Sequence, residues 1–150
     1  MTDVDIKVVG ALRQQNIGRL FQRAARAYSE LAMQKLQTAG YDNITLVHTA
    51  LIANLDIDGT RISTLADRAG ISKQAMGQLA NELENQQLIQ RKPDPSDRRA
   101  TLICFTDSGL QFLQDAYHLK LEIEAEYAAV LGAEGMETLR ELLENLLNAE

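Results

Sequence analysis

Apolar residues in the first forty positions recur every three or four residues, the spacing of one face of an α-helix. This pattern predicts a long helix from about Asp5 to near Gly40. A second helix, capped by Asp42 or Asn43, is predicted next. The apolar positions of the first helix are Ile17, Leu20, Phe21, Ala24, Tyr28 and Leu31, and those of the second are Ile44, Val47, Leu51, Ile52 and Leu55.

Two further helices are predicted close together in the middle of the chain. Ser63 is the expected N-cap of the first, and Gly70 is expected to end it because glycine readily adopts the left-handed conformation beyond a helix. Ser72 is the expected N-cap of the second. Two helices joined by so short a turn are typical of a helix-turn-helix. The second helix is expected to bury Met76, Leu79, Ala80 and Leu83.

The pattern then changes to that of β-strands. Residues 88–92 and 100–105 are short runs rich in Leu, Ile, Thr and Phe, which predicts a hairpin with PDPSDRR as a long connection. Thr106 or Asp107 is expected to cap a fifth helix, LGAEG to break it, and a last helix to begin at about Glu134. The apolar positions of these two helices are Leu110, Leu113, Tyr117 and Leu121, and then Met136, Leu139, Leu143 and Leu146.

A helix-turn-helix followed by a hairpin is a winged helix-turn-helix. The predicted fold class is therefore mainly α with a small β-wing, in a single domain covering residues 1–150. A DNA-binding lobe at residues 43–106 is expected to be flanked by helices at 1–40 and 107–150. These are expected to be dimerisation helices, because an isolated chain would leave its last leucines exposed, namely Leu142, Leu143, Leu146 and Leu147. In proteins of this class the second helix of the motif lies in the major groove of DNA and reads base edges.

One polar stripe of the recognition helix suits base contacts, because Gln and Asn can pair in bidentate fashion with adenine. A glycine inside a helix costs about 1 kcal/mol relative to alanine, so Gly77 on this stripe indicates a close approach of the backbone to DNA. Lys73 can reach guanine or phosphate. A solvated helix face is the alternative interpretation of the stripe, which consists of Gln74, Gly77, Gln78 and Asn81.

The two arginines of PDPSDRR follow two prolines that hold the segment away from the body of the protein. An arginine at the tip of a wing can enter the minor groove, where the negative potential of DNA is strongest. Asp97 is expected to orient the guanidinium of Arg99 through a bidentate pair. Alone, the segment would be interpreted as a solvated turn with an internal ion pair; its position beside a helix-turn-helix favours DNA contact.

The stretch from residue 62 to 109 resembles the winged-helix core of the MarR family of bacterial transcriptional regulators. The resemblance depends on the order and spacing of LA at 65–66, GIS at 70–72, LE at 83–84, LIQR at 88–91, DRR at 97–99 and TDSG at 106–109. It implies an obligate homodimer, built from the intertwined first and last helices, that offers two winged helices to a palindromic site. It also implies base reading by Ser72, Lys73, Gln74, Gly77 and Gln78, a minor-groove role for Arg99 supported by Asp97, and a phosphate contact for Arg98.

Charge is distributed unevenly along the chain. The net charge is −6 overall, but residues 1–60 sum to zero, residues 61–106 to +2 and residues 107–150 to −8. The mildly basic middle segment suits a polyanionic partner, and Lys92 is expected to contact phosphate there. No apolar run approaches the roughly 20 residues needed to span a bilayer, and the N-terminus does not look like a secretory signal. A cytoplasmic location without membrane contact is therefore expected.

The single cysteine and the two histidines carry weaker expectations. Cys104 excludes an internal disulfide and is expected to be a small core residue rather than an oxidant sensor. His48 is a candidate ligand-binding residue, because it lies where the family binds small molecules, with a structural role as the alternative. His118 is expected at the surface or in an interface, and no metal site is expected.

The sequence thus predicts a sequence-specific DNA-binding regulator: a homodimeric, ligand-responsive repressor of a palindromic operator. Its expected partners are double-stranded DNA, a second copy of the chain and a small-molecule effector. A winged helix that binds protein without binding DNA is the alternative, which the weak basicity of the middle segment leaves open. No nucleophile–base set, phosphate-binding glycine loop or pair of catalytic acids is found, so neither an enzyme nor a cofactor is expected.

Overall fold

The computed structural model describes residues 5–149, and the described chain is mainly helical with one small three-stranded antiparallel sheet. The predicted fold class is confirmed. The elements are α1 (Ile6–Gln15), α2 (Ile17–Thr38), a 3-10 turn (Leu46–His48), α3 (Thr49–Ile52), β1 (Thr60–Arg61), α4 (Ile62–Ala69), α5 (Lys73–Asn85), β2 (Ile89–Asp94), β3 (Asp97–Phe105), α6 (Asp107–Leu131) and α7 (Ala133–Leu147).

Three predicted helix boundaries are confirmed, and each follows from local chemistry. Gly70 ends α4 in the left-handed conformation at φ 66°. The Ser72 hydroxyl accepts the backbone N–H of Ala75 at 3.1 Å and begins α5. The Thr106 hydroxyl accepts the N–H of Gly109 at 3.0 Å and begins α6.

The N-terminal helices differ from the prediction. The expected single helix is two helices, because Asn16 adopts an extended backbone and its side chain accepts the N–H of Arg19 at 3.1 Å, so that Asn16 caps α2. The expected second helix is reduced to the 3-10 turn and the four-residue α3. Neither Asp42 nor Asn43 caps it, since the N-cap of the 3-10 turn is Thr45. Likewise, Ser63 is not an N-cap; it lies inside α4, whose N-cap is Arg61.

The hairpin is longer than predicted. Its two strands extend into PDPSDRR, so that only Pro95 and Ser96 connect them, and Arg98 and Arg99 belong to β3. Pairing continues to the tip, where Asp94 faces Asp97 across a register irregularity. The two-residue strand β1 was not predicted; it pairs with the other edge of β3 and joins the wing to the start of α4.

The hydrophobic core lies in the winged-helix lobe, which we define as residues 43–106. The recognition helix α5 buries the four predicted residues Met76, Leu79, Ala80 and Leu83 against α4 and the sheet. Helix α6 completes this core with Phe112 and Ala116. Tyr41 packs edge-on against Phe112, with ring centroids 4.9 Å apart, and donates a hydrogen bond to Asp115. That hydrogen bond, together with partial burial, raises the pKa of Tyr41 to about 12.

The terminal helices bury little within the chain. Helices α1 and α7 have no buried residue. The apolar positions that periodicity marked on α6 are not the ones it buries: Leu110, Tyr117 and Leu121 are exposed and Leu113 is half-buried. The helix instead buries Phe112, Ala116 and Ile123. The apolar positions predicted on α7 are not covered within the single chain, since Met136 is half-buried and Leu139, Leu143 and Leu146 are exposed.

Ion pairs hold these helices together at one side. Lys35 on α2 contacts Glu126 of α6 at 2.7 Å, and Arg140 on α7 contacts Glu124 of α6 at 2.8 Å. Between residues 5 and 149 no helix has both the length and the apolarity to cross a membrane.

Candidate nucleic-acid interface

The exposed face of α5 carries the predicted base-reading residues. Gly77, in the middle of this face, is half-buried, and a Cβ added there would meet no atom within 4 Å. The backbone of α5 at Gly77 is therefore accessible to a binding partner. The exposed members of the set are Ser72, Lys73, Gln74, Gln78 and Asn81.

Besides Ser72, whose hydroxyl caps α5, two of these side chains have hydrogen-bond partners on the protein. The Asn81 Oδ1 accepts a hydrogen bond from Nη2 of Arg91 on β2 at 3.0 Å, and the same guanidinium contacts Glu84 at 3.0 Å. Gln78 donates its amide N–H to Glu82 at 3.4 Å. Asn81 thus helps to fix the wing to the recognition helix, while Lys73 and Gln74 have no side-chain hydrogen bond within the described part of the chain.

The base of the wing is fixed by an ion pair that sequence reasoning missed. Asp94 is buried in the hairpin and accepts a hydrogen bond from Nε of Arg61 at 2.7 Å, while Nη2 of the same guanidinium lies 2.6 Å from that carboxylate oxygen. Its other oxygen accepts the backbone N–H and the hydroxyl of Ser96 at 2.8 and 2.7 Å. These hydrogen bonds, those of Ser96 first, lower the pKa of Asp94 to about 2. Arg61 and Asp94 lie 33 residues apart, so no local pattern could have paired them.

Asp97 and Arg99 are arranged differently from the expectation. The expected bidentate pair between the two side chains is absent; instead Asp97 accepts the backbone N–H of Arg99 at 3.0 Å. The second oxygen of Asp97 lies 3.9 Å from Arg61. Asp97 therefore shapes the backbone of the wing tip and leaves the guanidinium of Arg99 exposed.

The basic residues of the lobe fall into two groups. Arg61, Arg68 and Arg91 form ion pairs with Asp94, Asp56 and Glu84, at 2.6, 2.8 and 3.0 Å, and so contribute to the structure of the lobe. The other four are exposed and form no ion pair with any residue between 5 and 149: Lys73 at the start of α5, and Lys92, Arg98 and Arg99 on the wing. The charge available to a polyanion is therefore concentrated on the recognition helix and the wing.

His48 and Cys104 occupy structural positions. His48 is buried; its Nδ1 accepts the backbone N–H of Thr45 at 3.0 Å, and its Nε2 faces Glu82 of α5 at 2.8 Å. Cys104 is half-buried in β3. Among residues 5–149, no three His, Cys, Asp or Glu side chains are grouped as a metal site requires.

A cavity of about 540 Å³ lies between α2, the segment 46–57 and α6. Its wall is mainly apolar, with Lys120 and Asp56 among the polar residues, and its size is that of small-molecule sites. His48 is not part of the wall, whereas its neighbours Leu46 and Thr49 are.

The lobe, the helix α5 and the wing together define a winged helix-turn-helix protein, and comparison with known proteins shows which family it resembles. Residues 42–100 match the model of the MarR family. The transcriptional regulator HosA of Escherichia coli O111:H- is 24% identical over 102 residues, which cover 68% of this chain and 76% of that protein.

Two solved structures share the fold over nearly the whole chain. Apo wild-type MarR from E. coli is 20% identical, covers 88% of this chain and 97% of its own, and superposes with a TM-score of 0.72. A mutant of S. aureus MepR bound to an oligodeoxyribonucleotide is 23% identical, covers 89% and 97%, and has a TM-score of 0.62. The resemblance to the MarR family is confirmed, and these findings support a transcriptional regulator.

Proposed function

We propose that the protein binds duplex DNA as a homodimer and represses transcription from a palindromic operator until a small molecule releases it. The observation that carries this proposal is the grouping of the four unpaired cations of the lobe, Lys73, Lys92, Arg98 and Arg99, on the recognition helix and the wing. Every other cation of the lobe is paired with a carboxylate. The oligonucleotide bound to the related MepR mutant supports the same assignment.

In this proposal the two elements have different tasks. Gln74 and Gln78 read base edges in the major groove, where a good bidentate contact contributes about 1–3 kcal/mol of discrimination. Lys92 and Arg98 bind phosphate, and Arg99 enters the minor groove. Asp97 acts indirectly by shaping the backbone that carries Arg99, and Asn81 by holding Arg91.

The homodimer is supported by the apolar faces of the terminal helices. Leu142, Leu146 and Leu147 on α7 are between 56% and 76% exposed in the single chain, although each is as apolar as a core residue. Opposite charges favour the same assembly, because α1 and the first half of α2 carry exposed arginines while α6 and α7 are rich in glutamate. A dimer would place two recognition helices roughly 34 Å apart, one turn of DNA.

The effector site in this proposal is the cavity between α2 and α6. It lies between the terminal helices and the lobe, so a bound molecule contacts both. A ligand that favours a spacing of the lobes unsuited to DNA would weaken binding, with a coupling free energy of typically about 1–3 kcal/mol. His48 is assigned to the lobe and not to the ligand, because it lies outside the cavity wall.

Binding of the full chain to random-sequence duplexes at several salt concentrations tests the DNA assignment. We expect the logarithm of the association constant to fall linearly with the logarithm of the salt concentration, with a slope of about −0.9 for each phosphate contacted. Arg98→Ala should lower that slope by about one contact and weaken binding to all sequences alike. Arg99→Ala should weaken binding strongly without changing the unfolding midpoint.

Lys7→Ala is the matched control, since Lys7 is an exposed cation on α1, outside the lobe. It should bind DNA as the wild type does. A wild-type protein with no salt-dependent affinity for duplex DNA would contradict the proposal and favour the alternative of a winged helix that binds protein.

A further inference from the structure

His48 contacts both the backbone of its own segment and the recognition helix. Its ring is buried, with 4% of its surface exposed. The backbone N–H of Thr45 donates to Nδ1 at 3.0 Å, so Nδ1 must present a lone pair. In the neutral ring the proton then resides on Nε2, which lies 2.8 Å from Oε2 of Glu82 on α5. His48 is thus fixed as a hydrogen-bond donor to the recognition helix.

Glu82 connects His48 to Gln78, the side chain that reads a base in the proposed function. Its other oxygen, Oε1, accepts the amide N–H of Gln78 at 3.4 Å, one helical turn away on the same face. A carboxylate only accepts hydrogen bonds, so it draws the amide nitrogen of Gln78 toward itself and leaves the Gln78 carbonyl oxygen free. The chain from His48 through Glu82 to Gln78 therefore selects one of the two orientations of the Gln78 amide.

The hydrogen bond between His48 and Glu82 also fixes the position of a negative charge that is unfavourable near DNA. Glu82 is the acidic side chain next to the polar stripe of α5, and 45% of its side chain is exposed. A free carboxylate in that place would repel the phosphates of bound DNA. The hydrogen bond to buried His48 holds it against the body of the lobe.

We propose that His48 is a positioning residue for base readout: through Glu82 it sets the orientation in which Gln78 meets its base pair. The proposal rests on the proposed function, because it assumes that Gln78 reads DNA. It assigns His48 a role in sequence preference and none in contact with DNA or with an effector.

Two substitutions of His48 in the full chain test the hydrogen bonds of the two ring nitrogens separately. Asparagine places its oxygen near the position of Nδ1, so His48→Asn keeps the acceptor for Thr45 and loses the donor to Glu82. Glutamine extends to the position of Nε2, so His48→Gln keeps the donor to Glu82 and loses the cap. Preference is measured as the relative affinity for all single-base variants of a site selected from random duplexes.

We expect His48→Asn and Gln78→Ala to lose discrimination at the same base pair, by about 5- to 150-fold, the range of one good bidentate contact. His48→Gln should retain the wild-type preference even if its unfolding midpoint falls. The double variant His48→Asn/Gln78→Ala should lose no more than Gln78→Ala alone, because both changes remove one interaction. If His48→Asn is too unstable to study, Glu82→Gln provides the same test, because it replaces one of the two accepting oxygens, which face His48 and Gln78, by an N–H donor.

A side-chain amide spectrum of the free protein provides a test without DNA. The Gln78 amide resonances should shift in His48→Asn and stay in place in His48→Gln. Unchanged Gln78 resonances together with a wild-type base preference in His48→Asn would overturn the proposal and leave the proposed function intact. A wild-type protein that selects no sequence would overturn both.

Discussion

The winged-helix lobe and the terminal helices use their apolar residues in opposite ways. Of the 20 large apolar residues exposed among residues 5–149, only three lie in the lobe: Leu46, Val47 and Ile57. The other 17 lie on α1, α2, α6 and α7. The lobe also contains ion pairs that cross between elements, such as Arg61 with Asp94, whereas α1 has no buried residue and no ion pair with a described residue.

This difference indicates which contacts stabilise each region, those within one chain or those with a second chain. The lobe has its core within one chain, so its structure follows from contacts that the chain itself provides. The terminal helices have the sequence of core helices, but a single chain does not cover them. A second copy would supply the missing surface, and removing large apolar area from water contributes roughly 25 cal/mol per Å².

The largest expected effect is on dimerisation, after substitution of exposed leucines on α7. Leu146 and Leu147, at the end of α7, are 60% and 76% exposed in the single chain. The double substitution Leu146→Lys/Leu147→Lys should leave the lobe folded and raise the dissociation constant of the dimer by about 10²–10⁴, because a fully buried leucine contributes about 1.5–3 kcal/mol. Sedimentation or light scattering over a range of protein concentrations measures this change.

Val47→Lys is the control for that experiment. Val47 is 63% exposed and equally apolar, but it belongs to the lobe. This variant should dimerise as the wild type does. If the α7 double variant dimerised as tightly as the wild type, the terminal helices would not form the interface.

The second effect concerns the close packing of the lobe against α6. A Cβ at Gly109 would overlap the carbonyl oxygen of Leu88 and would lie 3.1 Å from the Phe105 ring, so neither the backbone nor the core can accommodate it. Gly109→Ala should lower the free energy of unfolding by about 3 kcal/mol, the upper end for overpacking. Urea denaturation provides the measurement.

The same substitution in α1 sharpens the comparison of the two regions. A Cβ at Gly10 meets no atom within 4 Å. Gly10→Ala should therefore be neutral or stabilise the chain by up to about 1 kcal/mol, through helix propensity alone. Equal losses in the two alanine variants would refute the claim that only the lobe side is tightly packed.

The part of the fold that sequence predicts is the part determined by neighbours in the chain. Gly70, Ser72 and Thr106 end or begin helices through hydrogen bonds within three or four residues of themselves, and their roles were predicted correctly. The inward face of α5 was also predicted, because only one of its faces is apolar. The division of the first helix at Asn16 was missed, although asparagine favours helix caps, because apolar residues keep their helical spacing on both sides of it.

Contacts between distant residues could not be predicted. Helix α6 carries apolar residues on two faces, and periodicity alone selected the face of Tyr117 and Leu121 over that of Phe112 and Ile123. In the candidate site, the residue types and their order were recognised, but Arg61, Glu82 and Arg91 were not. Each of them contacts a partner on another element, 10 to 34 residues away in sequence: Arg61 contacts Asp94, Glu82 contacts His48, and Arg91 contacts Asn81.

A third and smaller effect tests the ion pair at the base of the wing. The folded state lowers the pKa of Asp94 from 3.8 to about 2, so the charged carboxylate stabilises the fold. This stabilisation is complete only above about pH 5 and is lost progressively as the pH falls through the unfolded-state pKa of 3.8 toward the folded-state pKa of about 2. The difference in unfolding free energy between the wild type and Asp94→Asn should therefore shrink between pH 4 and pH 2, because asparagine does not titrate. A difference that stays constant over this range would show that Asp94 stabilises the wing through shape and not through charge.

The smallest expected effect is a change of about 1 kcal/mol in the unfolding free energy at Gly77, where stability and DNA binding should respond in opposite directions. Gly77 lies in the middle of α5, where alanine is favoured by about 1 kcal/mol, and nothing in the protein would touch an added methyl group. Gly77→Ala should therefore raise the unfolding free energy by about that amount. If the backbone at Gly77 approaches DNA as proposed, the same methyl group should weaken binding to the selected operator and leave the salt slope unchanged, since it removes no phosphate contact. Denaturation and equilibrium DNA titration of one preparation measure both quantities. A variant that gained stability and bound its operator as tightly as the wild type would show that the DNA does not come close to this turn of the helix, and Gly77 would then have to be removed from the interface.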